Sequence, residues 1–308
     1  MLVDCNLPIV SLKMKKLTIA TSSAALFDLE QSDQVYKQEG LEAYSKYQLA
    51  REHEPLSPGS AFSLIKKLLN LNTLLENPNR VEVVLLSRNT SDTGLRVFKS
   101  IEHHNLSITR AAFTGGTKPH RYMSPFGVDL FLSTERADVV EALEDGKAAA
   151  SILSSRLPSP EREDIRFAFD GDAVLFSDEA EEGYQKRGLE HFLTSEKNLA
   201  NVPLKGGPFR SFVESLNQLK SEFKGEINPI RTALVTARSS PAHERVVKTL
   251  RSWGMSVDES LFLGGMEKAN FLKSYGADIF FDDQAEHCRI ASETVLAGHV
   301  PSGVKNRS

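Results

Sequence analysis

The stretch FAFDGDAVLFSDE, from Phe167 to Glu179, decides the reading of this chain. Three apolar or aromatic positions lead into Asp170, and Asp172 follows across a single glycine. An apolar strand that ends in Asp-Gly-Asp sets two carboxylates at the carboxyl edge of a sheet, where open α/β folds keep their sites. Acids held that close repel each other unless a cation lies between them. The run therefore predicts a divalent-metal site with one carboxylate left to react. Alone, an Asp-x-Asp pair is a weak sign, because turns are rich in aspartate. Its weight depends on what the rest of the chain brings to it.

Composition narrows the partners. The 308 residues are 40% hydrophobic, enough for one large domain or two ordinary ones, each with its own core. A net charge of −4 leaves no basic excess, which argues against a nucleic-acid polymer or an anionic membrane as partner. Cys5 and Cys288 make no disulfide framework, which fits a reducing, cytoplasmic setting. No apolar run approaches the roughly 20 residues of a membrane helix. The opening MLVDCNLPIVSL has its acid early and its lysines only afterwards, the reverse of a secretory signal. Residues 1–16 are read as an extension ahead of the fold, with Lys13, Lys15 and Lys16 as a solvated tail.

The chain repeats itself. LTIATSSAALFD, from Leu17, lies over RFAFDGDAVLFS, from Arg166, with Thr21 on Asp170, an offset of 149 (170 − 21). The same offset lays VVLLSRN (from Val83) on TALVTAR (from Thr232), so that Ser87 falls on Thr236. It also matches VFKSI (Val97) with VVKTL (Val246), FTGG (Phe113) with FLGG (Phe262), and GVDLFLST (Gly127) with GADIFFDD (Gly276). A constant offset across separated blocks exceeds the likeness of unrelated βα units. Two homologous copies are expected, 17–150 and 151–308, with 151–164 as the joining segment. Each has a short strand, a helical segment of about fifty residues (31–80; 180–230), then strands alternating with helices. That pattern predicts an α/β fold with a doubly wound parallel sheet, the long segment forming a cap over the strand ends. Thr21, Ser23, Ser133 and Thr134 stand opposite Asp170, Asp172, Asp282 and Asp283. Hydroxyls cannot supply the charge that holds Mg²⁺, so the first copy is expected to be catalytically silent.

Four pieces of the second copy converge at strand ends: Asp170 with Asp172, Thr236 with Arg238, Lys268 after GlyGlyMetGlu, and Asp282 with Asp283 in IFFDDQ. In this order the set resembles the haloacid dehalogenase (HAD) superfamily of phosphohydrolases, in which an aspartate attacks phosphorus. A phosphate monoester repels a carboxylate nucleophile. Mg²⁺ held by Asp170, the backbone carbonyl of Asp172, and Asp282 or Asp283 would neutralise both. Thr236 and Lys268 would bind the phosphoryl oxygens. Asp172 would protonate the leaving oxygen and then activate water. Gly171, Ala237 and Arg238 complete the expected substrate-contacting set, although Arg238 reads equally as a surface arginine. Lys268 is preferred over Lys273 because a helix start points toward the strand ends. His103 and His104 read as helix surface, His287 and Cys288 as bystanders after the last strand, and Trp253 as core. Phe209 and Tyr184 are candidates for stacking on a base.

A closer resemblance follows from LTIATSSAALFD, YKQEGLEAY, LSPGSAF, FTGG, RFAFDGDAVLFSDE, PIRTALVTARSS, VVKTLRSWG and DIFFDD. These look like the cytosolic 5′-nucleotidase I family, from about Met14 to about residue 295. The resemblance implies Mg²⁺-dependent dephosphorylation of nucleoside 5′-monophosphates, with Asp170 as nucleophile, Asp172 as acid and base, and Asp282 and Asp283 on the metal. Gln284 departs from the family pattern, in which animal relatives tend to have His, so base preference stays open. A homo-oligomer is possible. The alternatives are a phosphatase of another small phosphomonoester, such as a sugar phosphate, and a non-catalytic nucleotide-binding protein.

Overall fold

A computed structural model describes residues 15–75, 77–154, 157 and 162–306. The strands are β1 Leu17–Thr21, β2 Val81–Ser87, β3 Arg110–Phe113, β4 Leu130–Ser133, β5 Ala149–Ile152, β6 Ile165–Phe169, β7 Ile230–Thr236, β8 Glu259–Phe262, β9 Ile279–Asp282 and β10 Ala297–His299. The helices of the first half are α1 Ser23–Leu26, α2 Glu30–Ala50, α3 Phe62–Leu74, α4 Ser91–His103, α5 Met123–Phe126 and α6 Arg136–Glu144. Those of the second are α7 Glu179–Asn198, α8 Arg210–Lys220, α9 His243–Ser252, α10 Ala269–Tyr275 and α11 Ala285–Ala291. Among the described residues, no helix is long and apolar enough to cross a membrane.

The ten strands form one sheet in the order β3-β2-β1-β4-β5-β10-β9-β6-β7-β8. Neighbours run parallel except β5 and β10, which meet antiparallel with Gly298 opposite Ile152 and His299 opposite Ser151. Both halves therefore lead from an outer edge to the middle in the same strand sequence, and they share the sheet rather than stacking as two bodies. Alternation along the strands explains the layers, since successive side chains point to opposite faces. Ile19, Leu85, Leu132, Phe167, Phe169 and Phe281 face one core that spans both halves. On the other face Ala20, Val84 and Phe131 belong to one core and Ala168, Val235 and Phe280 to another. Polar ties also cross between halves. Lys67 on α3 reaches Asp278 at 2.9 Å, Ser215 on α8 donates to Asp129 at 3.0 Å, and Arg80 Nε donates to Glu222 at 2.6 Å.

The segment expected to cap the strand ends divides in two. α8 lies on a face of the sheet, where Phe212 packs against Phe167 and Phe169. Phe209, read from sequence as a base-stacking candidate, is fully buried against Phe169 and Phe281. Its apolar ring is better used in the core, where burial contributes roughly 2 kcal/mol. The side chain of Tyr184 lies outside the described residues. α7 borders the end of β7, where Glu196 accepts from Arg238, and its helix is broken at Gly188, as α2 is at Gly40, by glycines with φ of 78° and 85°. Two further readings are refined. Lys15 is 61% exposed, in keeping with the solvated reading, but its ammonium is also anchored on Asp129 at 2.5 Å. His104 is half-buried, with Nε2 2.8 Å from the Leu56 carbonyl and its ring between Phe27 and Phe62. Trp253 is half-buried against Phe176.

The register of the sheet moves the pairing of the halves by one residue. Thr21 pairs with Leu85 and Leu132, and the residue paired with their counterparts Leu234 and Phe281 is Phe169, an offset of 148 (169 − 21). Ser22 N donates to Leu132 O at 2.9 Å as Asp170 N donates to Phe281 O at 2.8 Å. Ser22, not Thr21, therefore occupies the place of Asp170. The offset is 149 at Leu26 and Leu175 (175 − 26), whose carbonyls accept at 2.9 Å from Gly59 N and Gly207 N, themselves 148 apart (207 − 59). The second half takes up its extra residue in Gly171–Leu175, a π turn closed by Phe176 N to Gly171 O at 2.8 Å, with Ala173 at φ 59°. The first half makes an α turn there, Phe27 N to Ser23 O at 2.8 Å. Single π turns of this kind recur at functional sites.

Candidate active site

Three strand ends and one helix start deliver the polar groups. Asp170 follows β6, Asp282 ends β9 with Asp283 after it, and Thr236 ends β7. Lys268 immediately precedes α10, after a loop turned by Gly264 and Gly265 at φ 59° and 89°, a conformation that disfavours any side chain. The Lys268 ammonium donates to Asp170 Oδ1 and to Asp282 Oδ2, each at 2.6 Å. Asp282 Oδ1 accepts from the Gln284 amide at 2.8 Å, and His287 Nδ1 stands 3.1 Å from Asp282 Oδ2. Oxygens of Asp170, Asp282 and Asp283 lie within 4.8 Å of one another, and all three residues are buried. Gly171 sits against Thr236, where a β-carbon would come 3.2 Å from Oγ1.

The charges do not balance. Three buried carboxyls face one buried ammonium; were all three ionised, two negative charges would be left over, the complement of a divalent cation. The ionisation behaviour follows. Burial, with the charges of Asp170 and Asp282 added, pushes the Asp283 carboxyl from 3.8 to about 9. Burial also raises Asp170, to about 6, although the Lys268 charge works the other way. For Asp282 burial is outweighed by Lys268 and His287, which bring it down to about 2. Burial likewise opposes the charge on Lys268, but Asp170 and Asp282 hold its ammonium above its ordinary range. Carboxyls whose proton affinities are forced apart in this way could hold a cation between them.

Asp172 stands outside the carboxylate cluster. Its two oxygens accept from Arg238, Nε at 2.9 Å and Nη2 at 2.6 Å. The remaining Nη1 of Arg238 donates to Glu196 of α7, which also accepts from Arg245 at 2.7 Å. Arg245 in turn reaches Glu179 at 3.2 Å. Arg238 is 5% exposed, so the surface reading of this arginine is overturned. Burial disfavours its charge, yet Asp172 and Glu196 hold it above the ordinary arginine range. Ala237 is exposed beside it, and Lys273 is exposed on α10. Sequence reasoning missed Glu196, Arg245 and His287. The first two have no local signal, because the partners lie 42 and 49 residues apart. His287 could have been found, since it lies five residues beyond Asp282, one helical turn after the strand end.

The matching strand ends of the first half carry Ser22, Ser87, Ser133 and Thr134. Ser133 Oγ accepts from the Glu135 amide at 3.1 Å, as Asp282 accepts from Gln284. No carboxylate cluster forms around these hydroxyls among the described residues.

Parallel strands thus gather buried acids, a buried lysine and a hydroxyl at their carboxyl ends, where open α/β sheets keep their sites. The 5′-nucleotidase family profile matches residues 10–307, and the chain belongs to that family. It is 38% identical over 295 residues to Cytosolic 5'-nucleotidase 1B of Homo sapiens, an alignment that takes in 92% of this chain and 48% of that protein. The chain thus spans about half the length of that relative. No solved structure matches it significantly.

Proposed function

We propose that this chain is a cytoplasmic phosphomonoesterase that hydrolyses nucleoside 5′-monophosphates to nucleoside and phosphate. The observation that carries the reading is the buried cluster of Asp170, Asp282 and Asp283 closed by Lys268, in a member of the 5′-nucleotidase family. Asp170, Asp282, Asp283 and the backbone carbonyl of Asp172 would hold Mg²⁺, which when bound offsets the repulsion between carboxylate and phosphate. Asp170 attacks phosphorus, the ester P–O bond breaks, and an aspartyl-phosphate forms. Asp172 gives its proton to the leaving 5′ oxygen, then takes one from the water that attacks the intermediate. Free Asp170 and phosphate result. Lys268 and the Thr236 hydroxyl hold the phosphoryl oxygens as charge shifts onto them. Arg238 orients Asp172 between steps, and the pair opens when the acid donates. Gly171 and Ala237 leave room for the phosphate.

Two homologous copies of one HAD-like unit, 17–150 and 151–308, account for the repeated strand order. In the first, serine and threonine replace the acids, and no metal chemistry is expected. α7 serves as the part of the insert that covers the site. The test is phosphate release from 5′-, 3′- and 2′-nucleoside monophosphates and sugar phosphates, with Mg²⁺ and with EDTA. Metal-dependent release confined to 5′-monophosphates is expected. Preference for sugar phosphates would overturn the substrate, and no turnover at all would favour a binding protein.

A further inference from the structure

The strand ends of the first half open onto a cavity of about 700 Å³, within the size range of small-molecule sites. It lies where the acid cluster lies in the second half. Its floor is made by Ser22, Ser87 and Ser133, and its far wall by α2, with Tyr36, Leu41 and Tyr44. The aromatic and apolar wall is uncovered: Tyr36 is 53% and Leu41 61% exposed. Tyr36 packs edge-on to Tyr44 at 6.0 Å, and the Tyr44 hydroxyl donates to Asn89 Oδ1 at 2.8 Å. The other end of that amide, Asn89 Nδ2, is buried without a hydrogen-bond partner.

The cavity is not built for an anion. Arg88 donates to both oxygens of Asp138, at 3.0 and 2.5 Å, and to the Gly116 carbonyl at 3.1 Å. The Thr93 amide at the start of α4 donates to Thr90, at 3.3 Å. The amides of Gly115 and Gly116 donate to the carbonyls of Asn89 and Arg88. Asp33, Glu135 and Asp138 outnumber Lys37 and Arg88 on the lining. A phosphate would meet donors already engaged and a negative surround, at a high desolvation cost. A neutral ligand with hydroxyls at one end and a flat ring at the other fits hydroxyls on the floor and tyrosines on the wall.

We infer that this cavity binds a nucleoside without its phosphate and does not turn it over. The choice of a nucleoside rests on the nucleotidase reading, because it is the product of that reaction. The second copy would make it and the first would hold it.

The experiment is photolabelling of the full chain with 8-azidoadenosine, followed by peptide mapping, with adenosine, AMP and inorganic phosphate as competitors. Label is expected in the segment 29–44 as well as at the active site. Adenosine should remove the 29–44 label at lower concentration than AMP, and phosphate should not remove it. Tyr36→Ala, a change at an exposed ring, should cut the 29–44 label about tenfold, the loss of one base–aromatic stack, and leave label in the second half. Label confined to the second half overturns the inference, and so does AMP or phosphate competing better than adenosine. The nucleotidase reading fails separately, in the phosphate-release panel. A protein that releases phosphate but shows no 29–44 label sinks the second site alone.

Discussion

At Asp283 a proton and a bound cation would compete for the same oxygens. The folded carboxyl is raised from 3.8 to about 9 by burial and by its two acidic neighbours. A raised acid contributes stability that is complete below pH of about 4 and is lost as pH rises toward 9. The metal-free protein should therefore lose melting temperature across that window. A divalent cation replaces the proton, so the Mg²⁺-induced rise in Tm should grow from pH 5 to pH 9. A rise independent of pH would remove Asp283 from the metal set. Ser22→Ala tests the silent half. It removes the hydroxyl that caps α1, which accepts from Ala25 N at 3.2 Å, and should cost about 1 kcal/mol with kcat unchanged. A loss of turnover comparable to removing an active-site acid would refute the assignment. The acids were legible in the sequence because Asp170 directly follows one apolar strand and Asp282 and Asp283 close another, and Lys268 was legible because it starts a helix. The one-residue register shift was not, since only the pairing of β1 with β2 and β4 shows that Ser22 holds the place of Asp170.

Between elements, α7 and the strand ends are joined by charge. Glu196 binds both Arg238 and Arg245, and Arg238 binds Asp172. Removing one partner of a buried ion pair costs about 3 kcal/mol or more, because the remaining charges stay buried. Glu196→Gln should lower stability on that order and reduce kcat about tenfold with a smaller change in KM, as Asp172 loses its fixed orientation. Equal effects on kcat and KM would deny it that positioning role. The turn after β6 is pinned from outside by Gly207, where a β-carbon would come 2.3 Å from the Phe176 carbonyl oxygen and 2.4 Å from that of Val174. Gly207→Ala should cost about 3 kcal/mol, read in a denaturant melt, and impair turnover by displacing the π turn. In the sequence, LysGlyGlyPro (205–208) reads only as a turn inside the long segment after β6. That its second glycine clamps the π turn depends on backbone brought together from 31 residues away (207 − 176).

In the whole molecule, the α/β class and the mostly parallel sheet were legible in the sequence, but the joining of the halves was not. No residue pattern announces that β5 and β10 will meet antiparallel, because short strands of alanine, serine and glycine carry little register information. The shared core makes the halves interdependent. The second half alone would keep Phe209 and Phe212 over Phe167, Phe169 and Phe281 but lose the part of that core which α3 and its neighbours complete. A chain of residues 151–308 is expected to give no cooperative melt, and a stable, active half would show that the first copy is dispensable. The central claim is that Asp170 carries the phosphoryl group. Its most direct test is rapid acid quenching during turnover of a labelled nucleoside 5′-monophosphate, with the label mapped by peptide. Label on Asp170, absent from a folded Asp170→Asn protein that no longer releases phosphate, is the predicted result. Label on another residue, or undiminished turnover by Asp170→Asn, would contradict it.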